Sequence, residues 1–212
     1  MARQNYPPYH RVIRVMCSGR VDPLFVMEAF RNGVDAVMVG GCKLGECKYM
    51  EGNFQALVMG EMVWHLLRLI GLRAERFKLE WVSSAEPVKL VEDIKAFMRQ
   101  IKEIGPLGIG EGLSEEDLEF RLQAAVSVCE NMQVRTTFGQ IAKELKKMQD
   151  FAIETIKQKV EEKLLPMLKN RLYEIEVKTL LQGGPKSLDF LMAKTGATEE
   201  ELNPLLAKLI KS

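Results

Sequence analysis

The N-terminal half alternates short apolar runs with segments of helical spacing. β-branched and apolar residues cluster at 11–17, 36–39 and 77–82, which predicts three strands. Apolar residues at helical spacing predict helices over 24–31, 53–72 and 87–104. Strands that alternate with helices favour a parallel sheet with right-handed crossovers. The pattern therefore predicts an α/β fold with a small parallel three-stranded sheet and flanking helices.

Helix-start signals support this assignment. Asp22 is predicted to cap the first helix, and Pro23 then takes its first position. Asn53 is predicted to cap the second helix. A three-stranded sheet would leave long unpaired edges, which indicates that a further strand belongs beside it.

A glycine-rich segment marks the predicted domain boundary. Residues 105–112 include glycine at four of eight positions, which is typical of a flexible junction. We therefore predict an α/β domain over residues 1–106 and a helical extension over 113–212.

The C-terminal half has helical spacing throughout. Ser114 and Asp117 form a capping-box signature. A Lys- and Glu-rich helix is predicted from 138 to 182 with a kink at Pro166, long enough to form an arm or a two-helix scaffold. Two short helices, 187–194 and 198–210, then predict a small bundle that resembles a helix-turn-helix.

Composition excludes several classes of partner. The 212 residues are 47% hydrophobic and carry a formal net charge of +1, which gives no reason to expect nucleic-acid binding. Acidic residues at 199–201, in the first turn of the last helix, also disfavour a DNA reader. The most apolar stretch contains Glu61, His65 and Arg68, so no membrane span is predicted. The N-terminus lacks a secretory h-region, which predicts a cytoplasmic protein with reduced thiols.

Three of the four cysteines lie in two glycine-flanked loops. Cys17 and Cys42 follow predicted strands, and Cys47 comes five positions after Cys42. Ligands collect at the carboxyl ends of parallel strands, so these thiols are candidate ligands of a metal or an iron-sulfur cluster. Basic side chains flank them and would favour the thiolate form; they are Arg20, Lys43 and Lys48. The alternatives are small buried cysteines without a ligand, or a structural zinc site.

Other candidate residues favour structural roles. Cys129 lies on the apolar face of its helix and is predicted to be a core residue. His65 is predicted to lie in the core, and His10 is separated from Cys17 by the length of a strand. Trp64 and Trp81 are predicted to pack in the core. We find no phosphate-binding glycine motif, carboxylate pair or nucleophile-base set, so no independent catalytic site is predicted.

The sequence of these loops resembles a known family. Tyr6-Pro7-Pro8, the run from Arg11 to Pro23 and the run from Gly41 to Asn53 resemble the methyl-viologen-reducing hydrogenase delta subunit family over about residues 6–106. The likeness continues through Glu80 to Glu86. It implies a cytoplasmic electron-transfer subunit that carries a 2Fe-2S cluster, with Cys17, Cys42 and Cys47 as its ligands or close neighbours.

The resemblance also implies partners. Such a subunit would relay electrons between a hydrogenase, formate dehydrogenase or other redox module and a heterodisulfide reductase-like flavin subunit. Two departures stand out: family members usually begin with a further strand ending in Cys-x-x-Cys, and histidines are common where Lys43 and Lys48 stand. We expect the missing strand and ligands to come from outside this chain, either from a neighbouring subunit or from an upstream coding segment. The alternative function is a cluster-free docking or scaffold subunit.

Overall fold

The computed structural model describes residues 8–83, 85–148, 150 and 152–209, and these are mostly helical. Strands β1 (Val37–Gly41) and β2 (Phe77–Trp81) lie among the first three helices, α1 (Pro23–Arg31), α2 (Gly52–Leu69) and α3 (Pro87–Ile104). The helical half contains α4 (Glu115–Glu130), α5 (Met132–Met148), α6 (Ile153–Lys159), α7 (Leu165–Gln182), α8 (Leu188–Thr195) and α9 (Glu199–Leu209). The Asp22 carboxylate caps α1 by accepting a hydrogen bond from the Leu24 N–H, as predicted.

The sheet is parallel but smaller than predicted. Among the described residues it has two strands, with Val37 opposite Phe77 and Gly41 opposite Trp81, and α2 connects them. The α/β class is thus confirmed, whereas the predicted first strand at 11–17 is wrong. Those residues are not paired with either strand, and most of their apolar side chains are exposed. A β-branched run forms a strand only where a neighbouring strand satisfies its backbone groups.

One hydrophobic core joins the two halves of the chain. Its fully buried members include Phe30 of α1, Leu66 of α2, Ala125 of α4 and Leu168 of α7. The division into residues 1–106 and 113–212 stays a prediction, but side chains from both ranges share this core.

The glycine-rich junction is anchored, contrary to the predicted flexibility. The Arg76 side chain is fully buried and its Nε donates a 2.7 Å hydrogen bond to Glu111 Oε1. The same guanidinium donates to the carbonyls of Asp35, Gly105 and Pro106 at 3.0 Å each. A buried charged group must satisfy its donors, so these bonds fix the junction against the sheet.

The predicted long arm is folded back into the core. Helix α5 ends at Met148, and α6 begins at Ile153 and passes through a π-helical turn, Val160–Leu164, into α7. Ile141, Ile156, Val160 and Leu164 are fully buried, so this segment contributes to the core instead of projecting from it. The predicted kink at Pro166 therefore corresponds to a π turn just before α7, whose first turn contains Pro166.

The C-terminal helices form the predicted small bundle. Helices α8 and α9 pack on the end of α7 in a second hydrophobic cluster of Tyr173, Val177, Leu191, Ala197 and Leu202. The Ser114 hydroxyl accepts the Asp117 N–H at 3.1 Å, which confirms the predicted start of α4.

Some predictions fall outside the described residues: Tyr6 and Pro7 of the family motif, and the helix end at Ile210. Over the described ranges, no helix is both long and apolar enough to cross a membrane.

Candidate metal centre

Two thiols from separate loops meet beside the start of α2. Cys17 Sγ lies 4.0 Å from Cys47 Sγ, although 30 positions separate the two residues in sequence. Two sulfur ligands of one tetrahedral metal ion, with bonds of about 2.3 Å, would lie about 3.8 Å apart. The pair therefore has the spacing of two corners of a tetrahedral thiolate site.

Glycines allow this close approach. A methyl group at position 52 would lie 2.3 Å from Cys17 Sγ and 3.3 Å from Cys47 Sγ. A methyl group at position 19 would lie 2.4 Å from the Gly52 carbonyl oxygen. The loops of Cys17 and Cys47 thus meet at the backbone of Gly19 and Gly52. A side chain at either glycine would force the loops apart.

Asn53 anchors the loop between β1 and α2, which carries Cys42 and Cys47. Its fully buried amide nitrogen donates to the Lys43 carbonyl at 2.6 Å and, at 3.5 Å, to the Cys42 carbonyl. The predicted capping role of Asn53 is wrong, because α2 begins at Gly52 with Glu51 at the cap position. Asn53 instead fixes the loop that follows β1 to the first turn of α2.

The pKa values of the Cys17 and Cys47 thiols are shifted in opposite directions. Burial opposes ionisation of Cys47, but hydrogen bonds from the N–H groups of Tyr49, Asn53 and Gly52 outweigh it, so the pKa of Cys47 is lowered. At Cys17, burial is the largest influence and raises the pKa of the thiol, and the neighbouring Cys47 adds to that shift. Cys47 is therefore the more readily available thiolate ligand.

Cys42 is placed differently from the other two candidates. It lies on the same loop as Cys47 but is exposed, and its charge also raises the pKa of Cys17. No three His, Cys, Asp or Glu side chains of the described residues converge closely enough to hold a metal ion. The structure thus brings Cys17 and Cys47 together and leaves Cys42 beside them, so the three-thiol ligand set stays a prediction.

The flanking cations have different surroundings. Lys43 Nζ lies 2.8 Å from Glu86 Oε1, and Glu86 also accepts the Ser83 N–H at 3.0 Å. The hydrogen bond from Lys43 lowers the pKa of Glu86. Arg20 and Lys48 are exposed. The ion pair of Lys43 ties the thiol loop to the segment that leads into α3.

The remaining candidates have structural roles. Cys129 is 2% exposed in the core, and burial raises the pKa of its thiol, as expected of an inert core cysteine. Trp64 packs against the core and donates its indole N–H to the Phe77 carbonyl at 3.0 Å. Trp81 also packs against the core, so both predictions for the tryptophans are confirmed. His65 is half-buried, and burial lowers its pKa.

Sequence reasoning missed the role of Gly52. A glycine in the first turn of a helix, five positions after a candidate ligand, was the available signal. Glycine weakens a helix unless backbone must come close to another group, and here that group is the thiol pair.

Comparison with known proteins supports the resemblance noted from the loops. The family described as methyl-viologen-reducing hydrogenase, delta subunit, matches residues 1–105. The chain is 47% identical over 104 residues to an iron-sulfur subunit of the F420-non-reducing hydrogenase of Archaeoglobus profundus, and the match covers 49% of this chain and 76% of that protein. The chain belongs to the methyl-viologen-reducing hydrogenase delta subunit family.

Further relatives show the same segment in two settings. The iron-sulfur protein of the vhc F420-non-reducing hydrogenase of Methanococcus voltae is 38% identical over 117 residues, which is 55% of this chain and 81% of that protein. One component of the ferredoxin:CoB-CoM heterodisulfide reductase of Methanosarcina mazei is 42% identical over 108 residues, 51% of this chain but 14% of that protein. The related segment thus occurs both in small subunits and within a much longer chain.

Proposed function

We propose that this chain is an electron-transfer subunit of a cytoplasmic multi-subunit oxidoreductase. In this role a 2Fe-2S cluster would be held by Cys17 and Cys47, with Cys42 and a ligand from outside the chain completing the set. The 4.0 Å approach of the Cys17 and Cys47 sulfurs is the observation that carries the proposal. The relay would connect a hydrogenase or formate dehydrogenase-type module with a heterodisulfide reductase-like flavin subunit.

The chain's own residues would set the properties of such a centre. A bound 2Fe-2S cluster supplies one-electron transfer. The N–H groups of Tyr49, Gly52 and Asn53 donate toward Cys47, and hydrogen bonds to ligand sulfur favour the reduced, more negative state. Gly52 keeps the space between the two sulfurs free of side chain.

Exposed apolar residues within four positions of Cys17 or Cys47 in the sequence support partner docking. We define the apolar rim as Ile13, Met16, Tyr49 and Met50, which are 85%, 83%, 54% and 79% exposed. Met50 has a φ of 64°, a left-handed conformation that a non-glycine residue rarely adopts. Exposed apolar side chains on the segments that carry candidate ligands would provide a docking surface. The heterodisulfide reductase relative carries the related segment within its own chain, whereas this chain would use the apolar rim to bind a separate flavin subunit.

The cluster proposal is tested by metal analysis of anaerobically purified protein. We expect iron and acid-labile sulfide in equal amounts, with visible absorption and an EPR signal after reduction. Colourless protein that takes up no iron on reconstitution would contradict the proposal. Zinc bound to the same thiols would favour a structural site, because the sulfur spacing suits a tetrahedral zinc ion equally well.

The docking proposal is tested by co-purification. Ile13→Ser and Met16→Ser together should weaken capture of a heterodisulfide reductase-like flavin subunit without loss of iron. Val88→Ser, at a 57% exposed position on α3, is the matched control and should leave capture unchanged. A cluster-free scaffold role is favoured instead if Cys17→Ser and Cys47→Ser leave both assembly and turnover of the complex intact.

A further inference from the structure

The two converging thiols are also placed to react with each other. We propose that Cys17 and Cys47 form a reversible disulfide when no metal occupies them, so that oxidation of the thiol pair gates the candidate cluster site. The gating part rests on the proposed function, whereas the disulfide itself stands on the geometry of the pair.

The separation of the sulfurs is the first support. They lie 4.0 Å apart, and a disulfide bond is about 2.05 Å long, so closure needs a relative movement of about 2 Å. Both thiols are free and partly exposed, so a small oxidant can reach them.

The thiols are carried by loops outside the long helices and strands, so rotation of the two side chains would close this distance. Cys17 follows residues 11–16, which are exposed and outside helix or strand, and it leads into a single 3-10 turn, Ser18–Arg20. Cys47 lies between β1 and α2 in a loop stabilised by turns. Gly19 and Gly52 hold the two backbones against each other, so the thiols remain paired while their side chains rotate.

The other two cysteines are poorer partners. Cys129 is 2% exposed in the hydrophobic core. Cys42 is exposed and shares a loop with Cys47, but the sulfur in hydrogen-bonding contact with Cys47 is that of Cys17. The geometry therefore selects Cys17 and Cys47 over any pairing with Cys42.

The oxidant can be a low-molecular-weight disulfide such as glutathione disulfide. One cysteine thiolate attacks a sulfur of the oxidant, forms a mixed disulfide and releases one glutathione thiolate. The second cysteine attacks the protein sulfur of the mixed disulfide and releases the other. Two protein thiols are oxidised, one glutathione disulfide is reduced, and the two thiol protons leave on two glutathione molecules. Neither sulfur can then serve as a thiolate ligand, so a metal centre cannot be loaded until a dithiol reverses the exchange.

Tryptic peptides distinguish all four cysteines. Cys17 falls in 15–20, Cys42 in 32–43, Cys47 in 44–48 and Cys129 in 122–135. Metal-free full-length protein is treated anaerobically with glutathione disulfide, its free thiols are alkylated, and the digest is analysed by mass spectrometry. We expect the dominant cross-link to join 15–20 with 44–48. A dominant link between 32–43 and 44–48, or stable glutathione adducts without a cross-link, would overturn the proposal.

Variants and metal loading provide independent readouts. Cys17→Ser and Cys47→Ser should abolish the cross-link and retain glutathione on the remaining thiol, whereas the control Cys42→Ser should preserve the cross-link. The wild-type peptide map needs no variant, so it decides the pairing even if a variant misfolds. The oxidised protein should take up no iron until dithiothreitol is added. If the reduced protein also takes up none, the proposed function fails, and peptide mass alone still upholds or rejects the disulfide.

Discussion

Two glycine-containing loops of this chain differ in what they hold: one surrounds a buried ion pair and the other carries accessible thiols. The junction at 105–112 surrounds a buried ion pair, in which the side chains of Arg76 and Glu111 are 0% and 3% exposed. The loop between β1 and α2 instead holds thiols at the surface, supported by backbone contacts of Gly52 and by the Asn53 amide. The first loop is fixed by saturated polar contacts, while the second keeps reactive groups accessible. Glycine content alone therefore indicates close backbone approach, not flexibility.

The largest effect is expected at the junction. Arg76→Met leaves the buried Glu111 carboxylate without its partner and should lower the free energy of unfolding by about 3–5 kcal/mol. Urea denaturation measures this, with Arg99→Met at an exposed position of α3 as the control. A loss below about 1 kcal/mol would mean that the ion pair does not fix the junction.

Glu176 is a buried carboxylate that, unlike Glu111, has no ion-pair partner among the described residues, so it shows the effect of burial without an ion pair. Glu176 of α7 is 1% exposed, its Oε2 has no hydrogen-bond partner in the described structure, and burial raises its pKa to about 8. Its ordinary pKa is about 4.3, so the unfolded chain releases this proton at lower pH than the folded chain. The contribution of Glu176 to stability is therefore full below about pH 4 and is lost as the pH rises to about 8.

We expect Glu176→Gln to remove this pH dependence and to raise stability at pH 8 by about 1–3 kcal/mol. Urea unfolding measured from pH 4 to pH 9 tests it. Glu174→Gln is the matched control on the same helix. Hydrogen bonding to Lys178 lowers the pKa of Glu174, so its contribution is instead lost as the pH falls. Equal slopes for wild type and Glu176→Gln would show that Glu176 is ionised in the folded protein.

At the thiol loop, Gly52→Ala should affect function more than stability. The added methyl group would lie 2.3 Å from Cys17 Sγ, so the sulfurs must separate, at a net cost of about 1–2 kcal/mol after the gain in helix propensity. Iron uptake on reconstitution should be lost. Gly40→Ala is the control, since the added methyl group would meet no atom within 4 Å apart from its own residue and chain neighbours. Normal iron uptake by Gly52→Ala would show that the Cys17–Cys47 approach is not needed for binding.

The smallest effect is expected for the surface ion pair of the thiol loop. Lys43→Met removes a half-exposed contact with Glu86 and should leave the free energy of unfolding almost unchanged, because solvent screens exposed ion pairs. Thermal unfolding measures this change. A loss comparable with that of Arg76→Met would erase the contrast between the two loops.

Local signals predicted much of the fold. Helix α3 begins at Pro87 and ends at Ile104, as its periodicity predicts, and the alternation from Phe77 to Trp81 forms β2. Residues 11–17 have equally strong strand propensity, but this propensity needs a neighbouring strand, which a local pattern cannot supply. The predicted arm failed for a related reason: which helix faces are buried depends on the partner helix as well as on periodicity.

The candidate site was predictable in part. The sequence placed Cys17 and Cys42 after predicted strands and Cys47 five positions later, and it predicted that the three thiols would converge. The structure brings the sulfurs of Cys17 and Cys47 together, although residues 11–17 form no strand. The closeness of that approach depends on Gly19 and Gly52, which are distant in sequence and form a contact only through the tertiary fold. Asn53 resembled a helix cap because capping and loop-anchoring use the same amide group.

The proposed cluster is tested most directly by EPR spectroscopy of the reduced, anaerobically purified chain, recorded for wild type, Cys17→Ser and Cys47→Ser. We expect a spin signal of a reduced 2Fe-2S cluster in the wild type, and its loss or a clear shift of its g values in both variants. An identical signal in all three proteins would contradict ligation by this thiol pair, and wild-type protein without iron would contradict the cluster itself.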